Sequence, residues 1–203
     1  MTRRGLFGGT FDPPHVGHLM MAEVARESLG LEVVEFIPSH IPPHKAGQTI
    51  QPASLRVKML EAAVQNFPPF RVSTIELDRQ GISYTIDTVR DISKTHAGDE
   101  LYWLLGADML KDLPNWKDIE ALLSLVTVVA APRPGVNANA TADVLTKQYQ
   151  KAQIVVLEMP ELDISSTWLR ERLRKRLRID PLLPKGVSEV IEREGGYAFG
   201  TSS

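Results

Sequence analysis

Short apolar runs alternate along the chain with longer segments in which apolar residues recur at helical spacing. The runs predict six strands, at Arg4–Phe7, Glu32–Pro38, Phe70–Leu77, Glu100–Leu105, Val126–Ala131 and Ile154–Leu157. The other segments predict helices at His15–Leu29, Ala53–Asn66, Thr85–Lys94, Ile119–Leu125, Ala138–Gln150 and Pro184–Glu194, and one that carries Leu169, Leu173 and Leu177. This order favours a doubly wound α/β fold, a mostly parallel sheet with helices on both faces. No linker interrupts it, so residues 1–203 are expected to form one domain.

Composition and charge exclude some classes of protein. The 203 residues include 23 Lys or Arg and 25 Asp or Glu, for a formal net charge of -2, so no global attraction to nucleic acid or to an anionic membrane is expected. The chain has no cysteine, no signal-peptide pattern and no segment of membrane-spanning length. These features predict a soluble protein of the cytoplasm.

A run of basic residues near the C-terminus has two interpretations. We interpret it as a solvated face opposite the leucines; its members are Arg172, Arg174, Lys175, Arg176 and Arg178. A nucleic-acid patch is the alternative, and it is disfavoured because no aromatic residue is interleaved.

The most informative stretch is Gly8–Leu19, between the first strand and the first helix. Gly8, Gly9 and Thr10 let the backbone approach a ligand closely, and Asp12 with the proline after it suits a helix start. His15 and His18 are three residues apart, so on a helix they project from one face, with Gly17 leaving a gap beside them. Open amides at a helix N-terminus, flanked by two imidazoles, predict a phosphate site.

A metal site and a dinucleotide-binding turn are two other interpretations of this stretch, and both are disfavoured. Paired histidines can bind a metal, but zinc normally takes further ligands, and no third one is suggested nearby in a chain without cysteine. The stretch also lacks the G-x-G-x-x-G order of a dinucleotide-binding turn.

Further candidate residues follow the predicted strands. The loop Ser39–Pro52 contains His44 and Lys45, which bring positive charge to the sheet edge unless this is only a solvated proline-rich loop. Gly106 and Asp108 follow a strand and either contact a ligand or, in the case of Asp108, cap a helix. Trp116 lies in an exposed turn and either packs or stacks on a ring.

The last candidate motif opens a helix near the C-terminus. Ser165, Ser166 and Thr167 offer caps, and their amides and hydroxyls can equally hold phosphate. Arg170 follows one turn into the helix, where it can bind the same anion.

Together these motifs resemble the nucleotidyltransferases that carry an H-x-G-H signature, and more closely the bacterial nicotinate-nucleotide adenylyltransferases. Five elements match in order: residues 8–18, Pro42–Lys45, Ser83–Thr85, Gly106–Met109, and Ile164–Thr167 with Arg170. The likeness covers nearly the whole chain. The first and last elements are shared with phosphopantetheine adenylyltransferase, which is the runner-up, whereas Trp116 points to the nicotinate enzymes. A nucleotide sensor without turnover is a third hypothesis, which is disfavoured because His15 and His18 of the signature are both intact.

The resemblance implies a Rossmann-like fold and adenylyl transfer from ATP to nicotinate mononucleotide, with Mg²⁺ carried by ATP and no metal held by the protein. His15, His18, Lys45 and Arg170 are then the catalytic residues. The ATP site comprises Gly9, Thr10, His15, Gly17, His18, Gly106, Asp108, Ile164, Ser165, Ser166, Thr167 and Arg170, with residues 165–195 completing it. The nicotinate nucleotide site comprises Gly8, Gly9, Thr10, His44, Lys45, Thr85, Trp116 and Arg133.

The resemblance implies no nucleic-acid or membrane partner and leaves a homo-oligomer open. The chain departs from the family pattern at one position. Relatives usually follow the tryptophan with a second aromatic residue, and here Lys117 stands in that place. This departure bears on the preference for the nicotinate acid over the nicotinamide.

Overall fold

Six parallel strands form one sheet in a computed structural model that describes residues 1–43 and 49–197. The strands are β1 Arg3–Gly9, β2 Val33–Pro38, β3 Phe70–Val72, β4 Glu100–Gly106, β5 Val126–Ala131 and β6 Gln153–Val156. Their spatial order is β3-β2-β1-β4-β5-β6, which is the order of Rossmann-type sheets. The prediction of a doubly wound, mostly parallel sheet is confirmed, and every pairing in the described sheet is parallel.

Helices connect the strands and cover the sheet. They are α1 Val16–Leu29, α2 Ala53–Val64, α3 Ile75–Arg79, α4 Thr85–Thr95, α5 Ile119–Leu123, α6 Ala138–Gln148, α7 Ser166–Arg174 and α8 Val187–Arg193. Short 3₁₀ turns lie at Ala107–Lys111, Leu113–Asn115 and Asp180–Leu182. No helix in the described ranges is both long enough and apolar enough to cross a membrane.

Alternate residues of the central strands supply two hydrophobic cores. Along β1, Leu6 packs into the core under α4 and α5, and its neighbour Phe7 packs into the core under α1, α2 and α8. Both faces of a parallel sheet are covered in such folds, so its central strands are apolar throughout. The order of the strands leaves a switch point between β1 and β4, whose connections run to opposite sides of the sheet. A ligand crevice is expected there, at the carboxyl ends of the strands.

The predicted strand Phe70–Leu77 is wrong in its second half. Pairing with β2 ends at Val72, and the chain then forms α3, on which Glu76 is buried. Apolar residues at positions 70, 72, 75 and 77 fit the alternation of a strand only in part, and beyond Val72 the chain has no pairing with β2 in the described sheet to keep it extended, so it forms a helix.

Several helix boundaries differ from prediction, and two of these differences change the interpretation of a named residue. Helix α1 starts at Val16 with His15 as its N-cap, so Pro13 precedes the cap and is not in the first turn. Helix α7 stops at Arg174, and Leu177 is exposed instead of continuing the apolar face. The cause is a chain reversal in which Arg176 has a φ of 54° and the Arg172 guanidinium donates to the Arg178 carbonyl.

Candidate active site

A cavity of about 380 Å³ opens at the carboxyl ends of β1, β4 and β5. Its wall contains most of the residues that the sequence proposed for the two substrates. These are Gly8, Gly9, Thr10, His15, Gly17, His18, Thr85, Gly106, Asp108, Trp116 and Arg133. Residues far apart in the chain thus meet at the switch point of the sheet.

The two histidines lie side by side at the start of α1. Their rings are stacked with centroids 3.7 Å apart and planes inclined by 24°. The backbone N–H of His15 donates to Nδ1 of His18 at 3.1 Å. Because Nδ1 accepts this bond, a neutral His18 carries its proton on Nε2, which is then a hydrogen-bond donor.

His15 is buried and uncharged. It is only 2% exposed, and burial, helped by the positive charge of Arg133, lowers its pKa from 6.5 to about 3. Burial disfavours the charged form of an imidazole, so His15 acts at neutral pH as a dipole and not as a cation.

Gly17 occupies a position where a side chain does not fit. A Cβ built there lies 2.8 Å from Cγ2 of Ile164 and 3.1 Å from Nδ1 of His15. The contact with Ile164 brings the segment before α7 against the start of α1. The gap that the sequence suggested beside the histidines is therefore filled by Ile164.

Arg133 joins the end of β5 to the same segment. Its Nη1 donates to the carbonyls of Leu162 at 3.0 Å and of Ile164 at 3.1 Å, and its Nε lies 3.8 Å from Oδ1 of Asp108. Asp108 is in the second position of the 3₁₀ turn Ala107–Lys111, whose N-cap is Gly106. The structure therefore favours a place on the cavity wall for Asp108 over a capping role.

The α7 residues lie behind the glycine-rich turn. The predicted residues Ile164, Ser165, Ser166, Thr167 and Arg170 are not among the residues that line the cavity. The Ser165 side chain caps α7 by accepting from the amide of Trp168 at 3.2 Å, as its type predicts. Ser166 Oγ donates to the carbonyl of Pro13 at 2.8 Å, so the helix start is attached to the turn.

Arg170 contacts the turn from one helical turn further along. Its Nη1 donates to the carbonyl of Asp12 at 2.6 Å, and its Nη2 donates to Oγ1 of Thr167 at 3.2 Å. His44 and Lys45, the other predicted site residues, lie outside the described residues.

Trp116 lines the cavity together with Thr85 and Ser83. The turn was predicted to be exposed, but Trp116 is half-buried, and its Nε1 is buried without a hydrogen-bond partner in the described ranges. A side cavity of about 110 Å³ adjoins it, with Tyr84, Asn115 and Lys117 in its wall. Trp116 thus packs against the core under α4 and α5 and also lines the cavity.

Several wall residues were missed from the sequence, among them Met21, Ser39, Glu76, Met109 and Leu162. Ser39 follows β2 directly, at the sheet edge where ligands bind, and that position was a usable signal. Glu76 was missed because the sequence analysis predicted a strand over residues that begin α3. Met109 belongs to the element Gly106–Met109, whereas Met21 and Leu162 have no distinguishing local pattern.

The described residues contain no cluster of three or more His, Cys, Asp or Glu side chains that could hold a metal ion. The site offers imidazoles, an arginine and backbone amides, which suit phosphate better than a bare divalent cation.

Comparison with known proteins decides the family. The cytidylyltransferase-like family matches residues 6–172. A probable nicotinate-nucleotide adenylyltransferase of Bacillus pumilus (strain SAFR-032) is 42% identical over 197 residues, 97% of this chain and 99% of the relative. The nicotinate-nucleotide adenylyltransferase of Bacillus subtilis (strain 168) is 37% identical, again over 97% of this chain and 99% of the relative. The chain belongs to the nicotinate-nucleotide adenylyltransferase family.

A solved structure agrees in fold. The Plasmodium falciparum nicotinic acid mononucleotide adenylyltransferase complexed with NaAD superposes with a TM-score of 0.81 at 17% identity, covering 98% of this chain and 99% of that chain. At this identity the likeness shows the fold. The family that the H-x-G-H stretch suggested from the sequence is confirmed by the relatives over nearly the full chain.

Proposed function

We propose that this chain transfers the adenylyl group of ATP to nicotinate mononucleotide, forming nicotinate adenine dinucleotide and pyrophosphate. A phosphate oxygen of the mononucleotide attacks the α-phosphorus of ATP, and the bond from that phosphorus to the bridging oxygen of the β-phosphate breaks. The single observation that carries the proposal is the stacked His15–His18 pair on the wall of the switch-point cavity. Membership in the adenylyltransferase family supports it.

The proposed roles follow from charge and hydrogen bonding. Nε2 of His18 donates to the α-phosphate as negative charge develops there, and the neutral ring of His15 supports it. Arg170 supplies fixed positive charge near the triphosphate, together with Lys45. Such transfers depend on positioning and charge stabilisation more than on covalent help from the protein.

The remaining predicted residues divide between the two substrates. Gly17, Gly106, Asp108 and the start of α7 serve ATP. The nicotinate nucleotide is served by Gly8, His44, Thr85, Trp116 and Arg133, and both substrates are served by Gly9 and Thr10. Mg²⁺ arrives bound to the phosphates of ATP and is part of that substrate, because the described residues supply no carboxylate cluster for it. A cytoplasmic location is proposed on the absence of cysteine from the chain.

The test is pyrophosphate release from ATP and Mg²⁺ with three acceptors in parallel: nicotinate mononucleotide, nicotinamide mononucleotide and phosphopantetheine. Turnover that favours the nicotinate acid supports the proposal. Equal use of acid and amide keeps adenylyl transfer but contradicts the proposed acceptor, and turnover with phosphopantetheine alone overturns it.

A further inference from the structure

Asp12 is the centre of a buried polar group that the proposed mechanism does not use. Asp12 and Arg56 are each 2% exposed and Tyr197 is 7% exposed. The hydroxyl of Tyr197 donates to Oδ1 of Asp12, and the amide of Gln51 donates to Oδ2 at 3.3 Å. Asp12 lies in the turn of residues 10–15 between β1 and α1, which the proposed function makes the phosphate-binding turn. Its carboxylate is thus held by residues from two distant parts of the chain.

Three side chains from elsewhere bind the carbonyls of the same turn. Arg56 donates to the carbonyl of Thr10 at 3.0 Å, and Arg170 and Ser166 donate to those of Asp12 and Pro13, as described above. Binding a carbonyl orients its whole peptide plane, including the N–H on the other side. The path of the turn is therefore set largely by side chains from outside it.

The turn needs such support because Phe11 has a φ of 50°, a left-handed conformation that is uncommon outside glycine. The Phe11 ring is packed in the core, with its centroid 5.4 Å from that of Phe7 and 5.0 Å from that of His18. A shift of the turn would therefore move the ring that packs against His18.

The charges in this group are complementary. Burial lowers the pKa of the Arg56 guanidinium, and the negative charge of Asp12 opposes that change. Burial, the negative charge of Asp12 and the hydrogen bond to it raise the pKa of Tyr197, so its hydroxyl stays protonated and remains a donor. Arg56 also donates through Nε to the carbonyl of Gln51 at 3.1 Å.

We propose that Asp12, whose carboxylate is held by the hydroxyl of Tyr197 while Arg56 holds the neighbouring carbonyl of Thr10, is a positioning residue that fixes the phosphate-binding turn and, through its own carbonyl, the guanidinium of Arg170. Tyr197 and Arg56 do not line the cavity and act through Asp12 and the turn. The inference rests on the proposed function, because it takes ATP to be the ligand of this turn. It links a residue near the end of the chain to the triphosphate site.

The first test is calorimetric binding of the nonreactive analogue α,β-methylene ATP with Mg²⁺ to the full-length protein. The variant is Tyr197→Phe, which keeps the ring and removes only the donor. The matched control is Tyr102→Phe, because the Tyr102 hydroxyl also donates to a carboxylate, that of Glu100 at 3.1 Å, but outside the cavity wall. We expect roughly fivefold weaker binding for Tyr197→Phe and a change below about twofold for the control. Unchanged affinity in Tyr197→Phe overturns the proposal.

Kinetics separate positioning from a general loss of structure. Tyr197→Phe is expected to raise the KM for ATP and lower kcat, while the KM for nicotinate mononucleotide stays within about twofold. An equal rise in the KM values of ATP and nicotinate mononucleotide overturns the proposal. If Tyr197→Phe does not fold, Asp12→Asn provides the same test, since it keeps an acceptor for Tyr197 and loses the one for Gln51; normal analogue binding by Asp12→Asn also overturns the proposal.

A double-mutant cycle tests the route through Arg170. If Tyr197 acts by way of the Asp12–Arg170 contact, the variant with both Tyr197→Phe and Arg170→Lys binds the analogue no more weakly than Arg170→Lys alone. If the loss of affinity in the double variant equals the product of the losses in the two single variants, Tyr197 does not act through the Asp12–Arg170 contact. A wild-type protein that binds the analogue without using nicotinate mononucleotide contradicts the proposed acceptor and leaves this test intact, whereas one that does not bind the analogue contradicts both.

Discussion

The ammonium of Lys117 donates to Oδ2 of Asp87 at 2.9 Å and lies 4.5 Å above the centre of the Tyr84 ring. Asp87 is in the first turn of α4, and Lys117 directly follows Trp116. The pair therefore connects the Trp116 turn to the helix start that carries Thr85, across the wall of the side cavity. In this chain an ion pair and a cation–π contact lie at the position where the resemblance predicts a second aromatic residue.

Substitutions of Lys117 and of Asp87 should change the KM for nicotinate mononucleotide in opposite directions. Lys117→Met leaves the Asp87 carboxylate, beside the proposed nicotinate site, with only the more distant Arg90 guanidinium at 4.0 Å. We therefore expect the substitution to raise the KM for nicotinate mononucleotide roughly threefold through charge repulsion. Asp87→Asn leaves the ammonium unpaired and is expected to lower that KM. Both side chains are partly exposed, so the effects should shrink at high salt.

The measurement is the KM for nicotinate and nicotinamide mononucleotides at low and high salt. The uncharged ring substituent of the amide serves as the internal control, and its KM should change less. A rise in KM for both acceptors in both variants would show that the pair only holds the turn in place.

Removing the His18 imidazole should abolish most of the activity. Loss of one donor to a developing charge typically costs 10²–10³ in kcat, and we expect about that for His18→Ala. Thermal denaturation and circular dichroism should show a folded protein. His96→Ala is the control, since His96 is exposed and contacts Arg4 away from the cavity. Turnover of His18→Ala within a few-fold of wild type would contradict the role given to His18.

The buried His15 predicts how stability depends on pH. Its pKa of about 3 in the folded protein lies below the unfolded value of 6.5, so below pH 6.5 the unfolded chain binds a proton that the folded chain does not. The free energy of unfolding should therefore fall as the pH decreases from 6.5 towards 3. Lowering the pH from about 7.5 to 5.5 should reduce the free energy of unfolding by about 1 kcal/mol through this histidine.

Urea unfolding of wild type and His15→Asn at those two pH values measures this effect. Asparagine is a favourable N-cap residue, so the substitution keeps a side chain suited to that position. The variant should lose less stability on acidification, while the other histidines titrate equally in both proteins. An identical loss in the two proteins would mean that His15 is protonated normally when folded.

Crowding at Gly17 predicts a compensating pair of substitutions. The Cβ of Gly17→Ala meets Cγ2 of Ile164, so the variant should displace the segment before α7 and lower kcat on the order of tenfold. Ile164→Ala removes that methyl group and should restore part of the activity in the double variant. Steady-state kinetics of both single variants and the double variant provide the measurement. A double variant with activity equal to the product of the two single losses would argue against this contact.

Local patterns were sufficient wherever an element depends on its own residues. The strand before the glycine-rich turn, the helix that follows and the Ser165 cap were all predicted within a few residues. Prediction failed over Phe70–Leu77, where a short edge strand ends when its pairing with β2 ends, and at Leu177, where a chain reversal stops α7. In both places a contact with another segment decides which local tendency is realised.

The sequence by itself determined the class of fold, the order of the elements, and the histidines and serines of the motifs proposed to bind phosphate, because periodicity and turn chemistry act over a few residues. Only the tertiary structure decided the strand order, the uncharged state of His15, and the contacts of Asp12 with Tyr197 and Arg170. These depend on burial and on which side chains meet across more than 150 residues of chain. No local pattern carries that information, since it arises only when the sheet and its covering helices pack together.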